Sequence, residues 1–573
     1  MGFKGIPKFN MRKLSWASSS SSSLSESNNP LIDPEKQNYT DSPPSSPTLI
    51  PVDNQPSQPR KSLFSRCIQL LVWSLIGAFI FWAVGSLVYS AKKFETHLLA
   101  LKNHNGETEV VHWFKQPEES TAVFFADADL NNRWTVSVPR TETFPLSPQK
   151  LAHICIQSHK MHHQLHMDDE HIGHPSYYQA DPDYMQVSEA VSSGMLPAGF
   201  PSHITSVVEG VRNESHNGSP DNTDEETDIC KRSLTFVMQS ADAGFGPTLM
   251  SLWLAYGMAV YEKRAFFIDD RNWAYGSWST FFAPPPSPSC KPAPEIERVP
   301  CPHQADHLVV STATSTWTFG HGFEDEFEDP RKMEVQRQIN IFRMMREGYE
   351  ALFHLASDDA AYLDQRLHEL NSTIRPGLSV GLHMRHGDKH PYTQQFSKTY
   401  IPPEQYVIAA NHELFAAFNP NTTANEAEAD SKIAASRMIL ASDDAEAYTY
   451  WSEDEILRAQ DRIVLSTPSQ NNITGTVATV PLPFEGGFFA RNFTQIKGSA
   501  SWFSTDPALD YRALLGRSYL LDLAVLGNSD RVVCTVNSIG CRLLAVIMGW
   551  EDAIAQKHWI NVDGAWEWAG VVW

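Results

Sequence analysis

The sequence predicts an α/β protein built from two Rossmann-type domains facing a cleft, and three observations carry that prediction. Residues from about 230 to 376, and again from about 377 to 573, alternate short apolar runs with helix-like stretches. The run Ser379-Val380-Gly381-Leu382-His383-Met384 then stops abruptly on Arg385-His386-Gly387-Asp388-Lys389, a cluster of cationic and hydrogen-bonding groups. In open α/β sheets ligands sit beyond the carboxyl ends of strands, so a strand over 378–384 would deliver Arg385 and Lys389 to a phosphate-binding loop. An Arg fork grips two phosphate oxygens at once and a nearby Lys adds a point charge. The plainer alternative is a strand ending in a surface ion pair between Arg385 and Asp388.

The elements follow in order. Residues 1–66 are rich in Ser, Pro and Asn and hold too few apolar residues to order themselves, which predicts a disordered cytoplasmic tail. Residues 67–90 carry no charge until Lys92 and are long enough for a membrane-crossing helix. The stretch lies too far from Met1 and runs too long for a cleaved leader, so it reads as a transmembrane signal anchor. Lys and Arg residues of the tail favour a cytoplasmic N-terminus. Residues 91–229 are expected to form a stem and N-terminal lumenal extension, with no familiar pattern over 151–229. Residues 230–376 form the first α/β domain, on the acceptor side, interrupted by the loop Pro284-Pro285-Pro286-Ser287-Pro288. Residues 377–573 form the nucleotide-binding Rossmann-type domain, with strands expected at Ser379, Arg437, Ile463 and Arg531.

Sequons agree with a lumenal placement: Asn213, Asn217, Asn371, Asn421, Asn472 and Asn492 each begin Asn-x-Ser/Thr. Cys67 falls in the apolar span, which leaves Cys155, Cys230, Cys290, Cys301, Cys534 and Cys541 for as many as three disulfides in an oxidising compartment. A net charge of −22 argues against nonspecific nucleic-acid binding. Acidic runs at 221–228 and 324–329 read as solvated loops.

His-x-Arg-x-Gly-Asp-Lys at a strand end resembles the signature of the α-1,6-fucosyltransferase and protein O-fucosyltransferase group, inverting GT-B enzymes that use GDP-fucose. Other segments follow in that family's order. Phe236-Val237-Met238 leads to Ala243-Gly244-Phe245-Gly246-Pro247, an apolar helix near 249–261 and a strand at Ala265-Phe266-Phe267-Ile268, then Asn272-Trp273-Ala274-Tyr275 and Trp278. Downstream come Arg437-Met438-Ile439-Leu440-Ala441-Ser442-Asp443-Asp444, the helix around Leu520-Leu521-Asp522-Leu523, and Val532-Val533-Cys534-Thr535-Val536-Asn537-Ser538-Ile539-Gly540-Cys541-Arg542. The resemblance covers roughly 230–560. It implies a type II Golgi membrane protein that transfers fucose from GDP-fucose to a glycan or glycoprotein, with inversion and without metal.

It also implies residue roles. His383 and Asp522 match residues that contact guanine, and a carboxylate can accept two hydrogen bonds from guanine's N1 and N2 edge. Tyr275 and the Asn537-Ser538 loop match positions that reach the phosphates, although Asn537 and Ile539 stand where the family has Ser and Gln. Gly244, Phe245 and Gly246 belong to the donor loop, and one of Asp443 and Asp444 approaches the donor; capping a helix before Ala445-Glu446-Ala447 is the alternative for the other. Arg385, supported by Lys389, would stabilise the departing diphosphate in place of a metal. Cys534 with Cys541 is the expected disulfide, on the short loop and the resemblance together, with buried free thiols as the alternative. The family's Glu shortly after Asp-Lys is missing here, so His390, His386, Asp388 or a more distant group would take the acceptor proton. Without a base, the chain would be a lapsed, membrane-anchored glycan- or nucleotide-binding protein of the same fold. The chain ends at Trp573, so the terminal SH3 domain of the animal α-1,6 enzymes is expected to be absent.

Two features compete with this reading. Asp127-Ala128-Asp129 follows the run Val123-Phe124-Phe125-Ala126 and could be a metal-binding Asp-x-Asp of a GT-A enzyme. His159, His162, His163 and His166, with Asp168 beside them, have the i,i+4 spacing that binds zinc on a helix face, against the simpler expectation of a polar, solvent-facing helix. A structural membrane glycoprotein is the remaining reading and predicts no nucleotide binding.

Overall fold

A computed structural model describes residues 117–127, 131–166, 177–197, 228–239, 244–386, 400–418, 426–444, 446–452, 456–463 and 506–570. Contacts divide the chain into Met1–Glu109 and Val110–Trp573, and every described residue belongs to the second unit. The tail, the apolar span 67–90, and Asn213, Asn217, Asn421, Asn472 and Asn492 therefore lie outside the described residues. Among the described residues no helix is long and apolar enough to cross a membrane.

The unit begins with an antiparallel hairpin, β1 (Thr121–Ala126) and β2 (Asn132–Ser137). Asp127 closes it: its carboxylate accepts from the Asn131 backbone at 2.8 Å and from Arg133 Nε at 3.3 Å. That is a turn-fixing role for Asp127 rather than a metal-binding one, and Asp129 lies outside the described residues. Helix α1 (Pro148–Leu165) starts where Ser147 and a following Pro predict an N-terminus, Ser147 accepting from the Lys150 amide. Trp134, Val136, Leu151 and Ile154 pack with Val237, Val299 and Val309, so much of 121–196 folds against the sheet that follows. The stem expected over this stretch is thus part of a packed core. Its two strands are six residues long with irregular alternation of buried and exposed positions, so sequence periodicity does not mark them.

A three-stranded parallel sheet comes next, in the order β4 (Ala265–Asp269), β3 (Ser233–Val237), β5 (His307–Val310). All five residues of β3 are buried, the mark of a parallel strand covered on both faces. Helix α2 (Phe245–Tyr261) crosses from β3 to β4 and packs against α3 (Ile339–Leu352). Helix α4 (Ser357–Ile374) follows, and Asn371 sits on its exposed face. Cys230–Cys290 ties two loops beside this sheet, and Cys155–Cys301 ties α1 to the loop before β5. The acidic run 324–329 lies mostly on the short helix His321–Phe327, with Glu328 paired to Arg337 and Asp329 to Arg331.

The second sheet is five-stranded and parallel throughout: β10 (Trp559–Asn561), β9 (Arg531–Cys534), β6 (Ser379–Met384), β7 (Arg437–Ser442), β8 (Ile456–Arg458). Among the described residues the strand in this region is at Ile456, not at Ile463. Ile463 is buried in a turn closed by Gln460, whose amide bonds both backbone groups of Ile463 at 2.9 Å. β6 is central and wholly buried. Its alternation is that of any strand, with Val380, Leu382 and Met384 packing with Tyr406, Ala410 and Leu414 of α5 (Pro403–Ala417). Gly381 and His383 face the other way, toward α6 (Asp506–Gly527) and α7 (Ile539–Met548). From β6 the chain builds outward through β7 and β8, then returns by α6 to start β9 on the opposite side of β6.

Candidate functional site

The change of direction between β6 and β9 is a topological switch point, and in such sheets the crevice at the carboxyl ends of the two strands is where ligands bind. His383 of β6 stands in register with Cys534 at the end of β9, so Arg385 and the Thr535–Ser538 loop emerge beside each other.

Arg385 leaves β6 and is met by the neighbouring strand's exit. Its Nη1 donates to Asp443 Oδ2 at 3.1 Å, while Asp443 Oδ1 accepts from the His386 amide at 2.6 Å. One carboxylate thus fixes both the turn after β6 and the guanidinium, whose side chain stays 30% exposed. His386 is held in turn by a hydrogen bond between its Nε2 and the Ile401 carbonyl, 2.8 Å. The two aspartates differ in what they hold: Asp443 pairs with Arg385, whereas the Asp444 carbonyl accepts from Ala447 at the start of the 3-10 turn Glu446–Thr449. Asp388, Lys389 and His390 lie outside the described residues.

His383 is 8% exposed, and its edge is pressed against the start of α7. A Cβ at position 540 would lie 2.6 Å from His383 Nε2, so Gly540 is what lets the imidazole and the helix approach. Burial, aided by the charge of Arg385 and opposed by Asp443, pulls the imidazole down to about 4. His383 is therefore neutral at pH 7. Because the folded value lies below the ordinary one, this group's contribution is complete above the unfolded value and is lost as pH falls from there toward 4. About 3 kcal/mol is at stake. His383→Gln is expected to flatten that part of the acid limb, read as urea midpoints across the range; an unchanged limb would mean His383 protonates freely in the folded state.

Two helix starts meet over Tyr519. Its hydroxyl is 2.8 Å from where a Cβ would stand on Gly246 and 3.2 Å from the same point on Gly540. Neither N-cap residue, Gly244 of α2 nor Ser538 of α7, caps its helix with a side chain. First-turn amides at such starts carry partial positive charge and suit an anion. The loop into α7 is firmly held: Cys534 and Cys541 form the expected disulfide, Asn561 Oδ1 accepts from the Val536 amide at 2.9 Å, and Arg542 Nε donates to the Val536 carbonyl at 2.8 Å. Asn537 is half-buried there and Ser538 buried.

Tyr275 is fully buried, its ring 4.7 Å from that of Phe245 in a T-shaped contact beside Trp273 and Phe281. It shapes the start of α2 from behind instead of presenting its hydroxyl at the surface. Arg512, also fully buried, is its electrostatic neighbour. Asp522 lies on α6 within electrostatic reach of Tyr448, whose hydroxyl is pushed up first by burial and then by Asp522. Tyr448 accepts from the Ser442 amide at 2.8 Å and lies under the Arg458 guanidinium at 4.2 Å. Tyr448 and Tyr519 escape sequence reading although they border the Asp443-Asp444 and Leu520–Leu523 segments, and Arg512 sits in a segment without a motif.

The helix of histidines splits. His159 and His163 are exposed as expected, but His162 is buried and His166 nearly so, both turned onto Asp181. Asp168 lies outside the described residues.

The chain is similar to solved α-1,6-fucosyltransferases. NodZ α-1,6-fucosyltransferase soaked with GDP-fucose matches at 13% identity over 55% of this chain and 93% of that one, with a TM-score of 0.29. NodZ co-crystallised with GDP matches at 14%, over 55% and 92%, TM-score 0.26, and fucosyltransferase NodZ from Bradyrhizobium at 13%, over 55% and 92%, TM-score 0.27. Superpositions this loose place no residue, so the site rests on its own geometry. No family model and no curated protein matches the chain.

Proposed function

We propose that the chain is a glycosyltransferase that binds a GDP-sugar, GDP-fucose by its motifs, at the switch point between β6 and β9. The observation that carries this reading is Arg385, fixed by Asp443 at the exit of β6 beside the loop that opens α7, whose uncapped start meets that of α2 over Tyr519. Such a set offers preorganised positive charge to a diphosphate. Asp522 and neutral His383 would face the guanine. In the reaction an acceptor hydroxyl attacks the sugar's anomeric carbon, the bond from that carbon to the β-phosphate oxygen breaks, and GDP leaves with the electron pair. A single displacement inverts the centre. The helix starts and Arg385, with Lys389 in support, take up the developing charge, so transfer needs no metal. His386 engages the Ile401 carbonyl through Nε2; the acceptor proton goes to His390, to His386 through its other nitrogen, to Asp388 or to a more distant group.

The same reading makes this a type II Golgi membrane protein anchored by residues 67–90, with 91–573 lumenal and a glycan or glycoprotein as acceptor. Incubating the detergent-solubilised full chain with GDP-fucose, glycan acceptors and EDTA tests it: GDP release that depends on acceptor and survives EDTA is expected. Release only with added metal, or only from a UDP-sugar, would sink it. The missing carboxylate after Lys389 favours a second reading, nucleotide binding without turnover, for which GDP binds and no acceptor supports release.

A further inference from the structure

The last turn of α1 brings His162 and His166 onto one face, and that face closes on Asp181. Asp181 is 2% exposed and rigidly placed. Its Oδ2 accepts from Trp134 Nε1 at 2.8 Å and lies 2.7 Å from His162 Nδ1; its Oδ1 accepts from the Asp183 amide at 2.8 Å and lies 3.2 Å from His166 Nε2. Gln304 bonds both backbone groups of Asp181. Burial alone would raise this carboxyl, but the bonds from Asp183, His166 and Trp134 outweigh it and hold it below the ordinary range. Asp181 is thus an anion at neutral pH, fixed from behind as a ligating carboxylate needs to be.

One atom from each of the three residues falls within 4.8 Å of the others. A tetrahedral zinc with bonds of about 2.0–2.2 Å sets its ligand atoms roughly 3.3 Å apart. His166 and Asp181 already stand at that separation, and His162 has to withdraw from Asp181 by about half an ångström. The cluster borders a cleft of about 440 Å³ that His162 and Asp181 line with His159, Tyr177, Trp317 and Asp325.

We propose that His162, His166 and Asp181 hold a divalent transition-metal ion, zinc by the chemistry of two imidazoles and one carboxylate, with a further coordination position open to the cleft. Binding displaces the protons shared between the imidazoles and Asp181. The site is separate from the nucleotide crevice. Tyr178, next to Tyr177 of the cleft, touches Met258 in the last turn of α2, whereas the crevice lies at the first turn, about 20 Å away along a helix rising 1.5 Å per residue.

The test uses the full chain, stripped with a chelator, dialysed, and titrated with zinc chloride against a chromogenic chelator. One zinc per chain is expected. His166→Ala should weaken it on the order of 100-fold while GDP affinity and the circular dichroism spectrum stay as in the parent. Cobalt(II) should give a visible absorption band that the same variant loses. Folded parent protein that takes up no stoichiometric zinc, or His166→Ala that takes it up equally, would overturn the proposal and leave Asp181 as a purely hydrogen-bonding clamp on α1.

Discussion

Arg385→Ala is expected to cut turnover of GDP-fucose by about 10²–10³-fold, the usual effect of removing one preorganised charge from a developing anion. The fold should be unaffected, because the side chain is partly exposed and Asp443 keeps its bond from the His386 amide after the guanidinium is gone. If Arg385 acts mainly on the leaving diphosphate, kcat falls more than KM rises. Arg385→Lys should recover part of the loss, since the charge returns without the fork. Steady-state kinetics on the two variants check this. Wild-type turnover in Arg385→Ala would remove the central residue from the account.

Gly348→Ala is expected to destabilise the protein by about 3 kcal/mol, the upper end for overpacking a core. At this position α3 crosses α2 so closely that a Cβ would lie 2.1 Å from the Trp253 carbonyl oxygen, and the reciprocal Gly257 would place one 2.2 Å from that of Met344. Those oxygens are backbone, so the helices themselves must part. Because α2 also supplies the Gly244–Gly246 start to the crevice, GDP affinity should fall together with the urea midpoint. An unfolding free energy within about 0.5 kcal/mol of the parent's would show that the helices are free to separate at little cost.

The strands that position the crevice were legible because buried parallel strands read as short apolar runs ending on polar clusters: β6 before Arg385, β7 before Asp443, β9 before Asn537. Sheet order was not legible, since strand neighbours depend on crossovers that local pattern does not encode, and the switch point emerged only with the pairing of β6 to both β7 and β9. Tyr275 was legible as important but not in its placement; burial behind Phe245 is a tertiary fact. Likewise the spacing of the histidines showed a possible metal face, yet the carboxylate they meet among the described residues is Asp181, 19 and 15 residues further along the chain. Ile463 misled because an apolar residue buried in a turn looks the same in sequence as one buried in a strand.

The central claim is that the crevice between β6 and β9 selects a guanosine diphosphate through its own residues. Calorimetric titration of the full chain in EDTA with GDP, and with UDP as control, tests it most directly. The account predicts one GDP bound per chain, UDP bound at least about tenfold more weakly, a difference of 1.4 kcal/mol, and GDP binding weakened in Arg385→Ala. Equal affinity for the two nucleotides, or no GDP binding by folded protein, would contradict it.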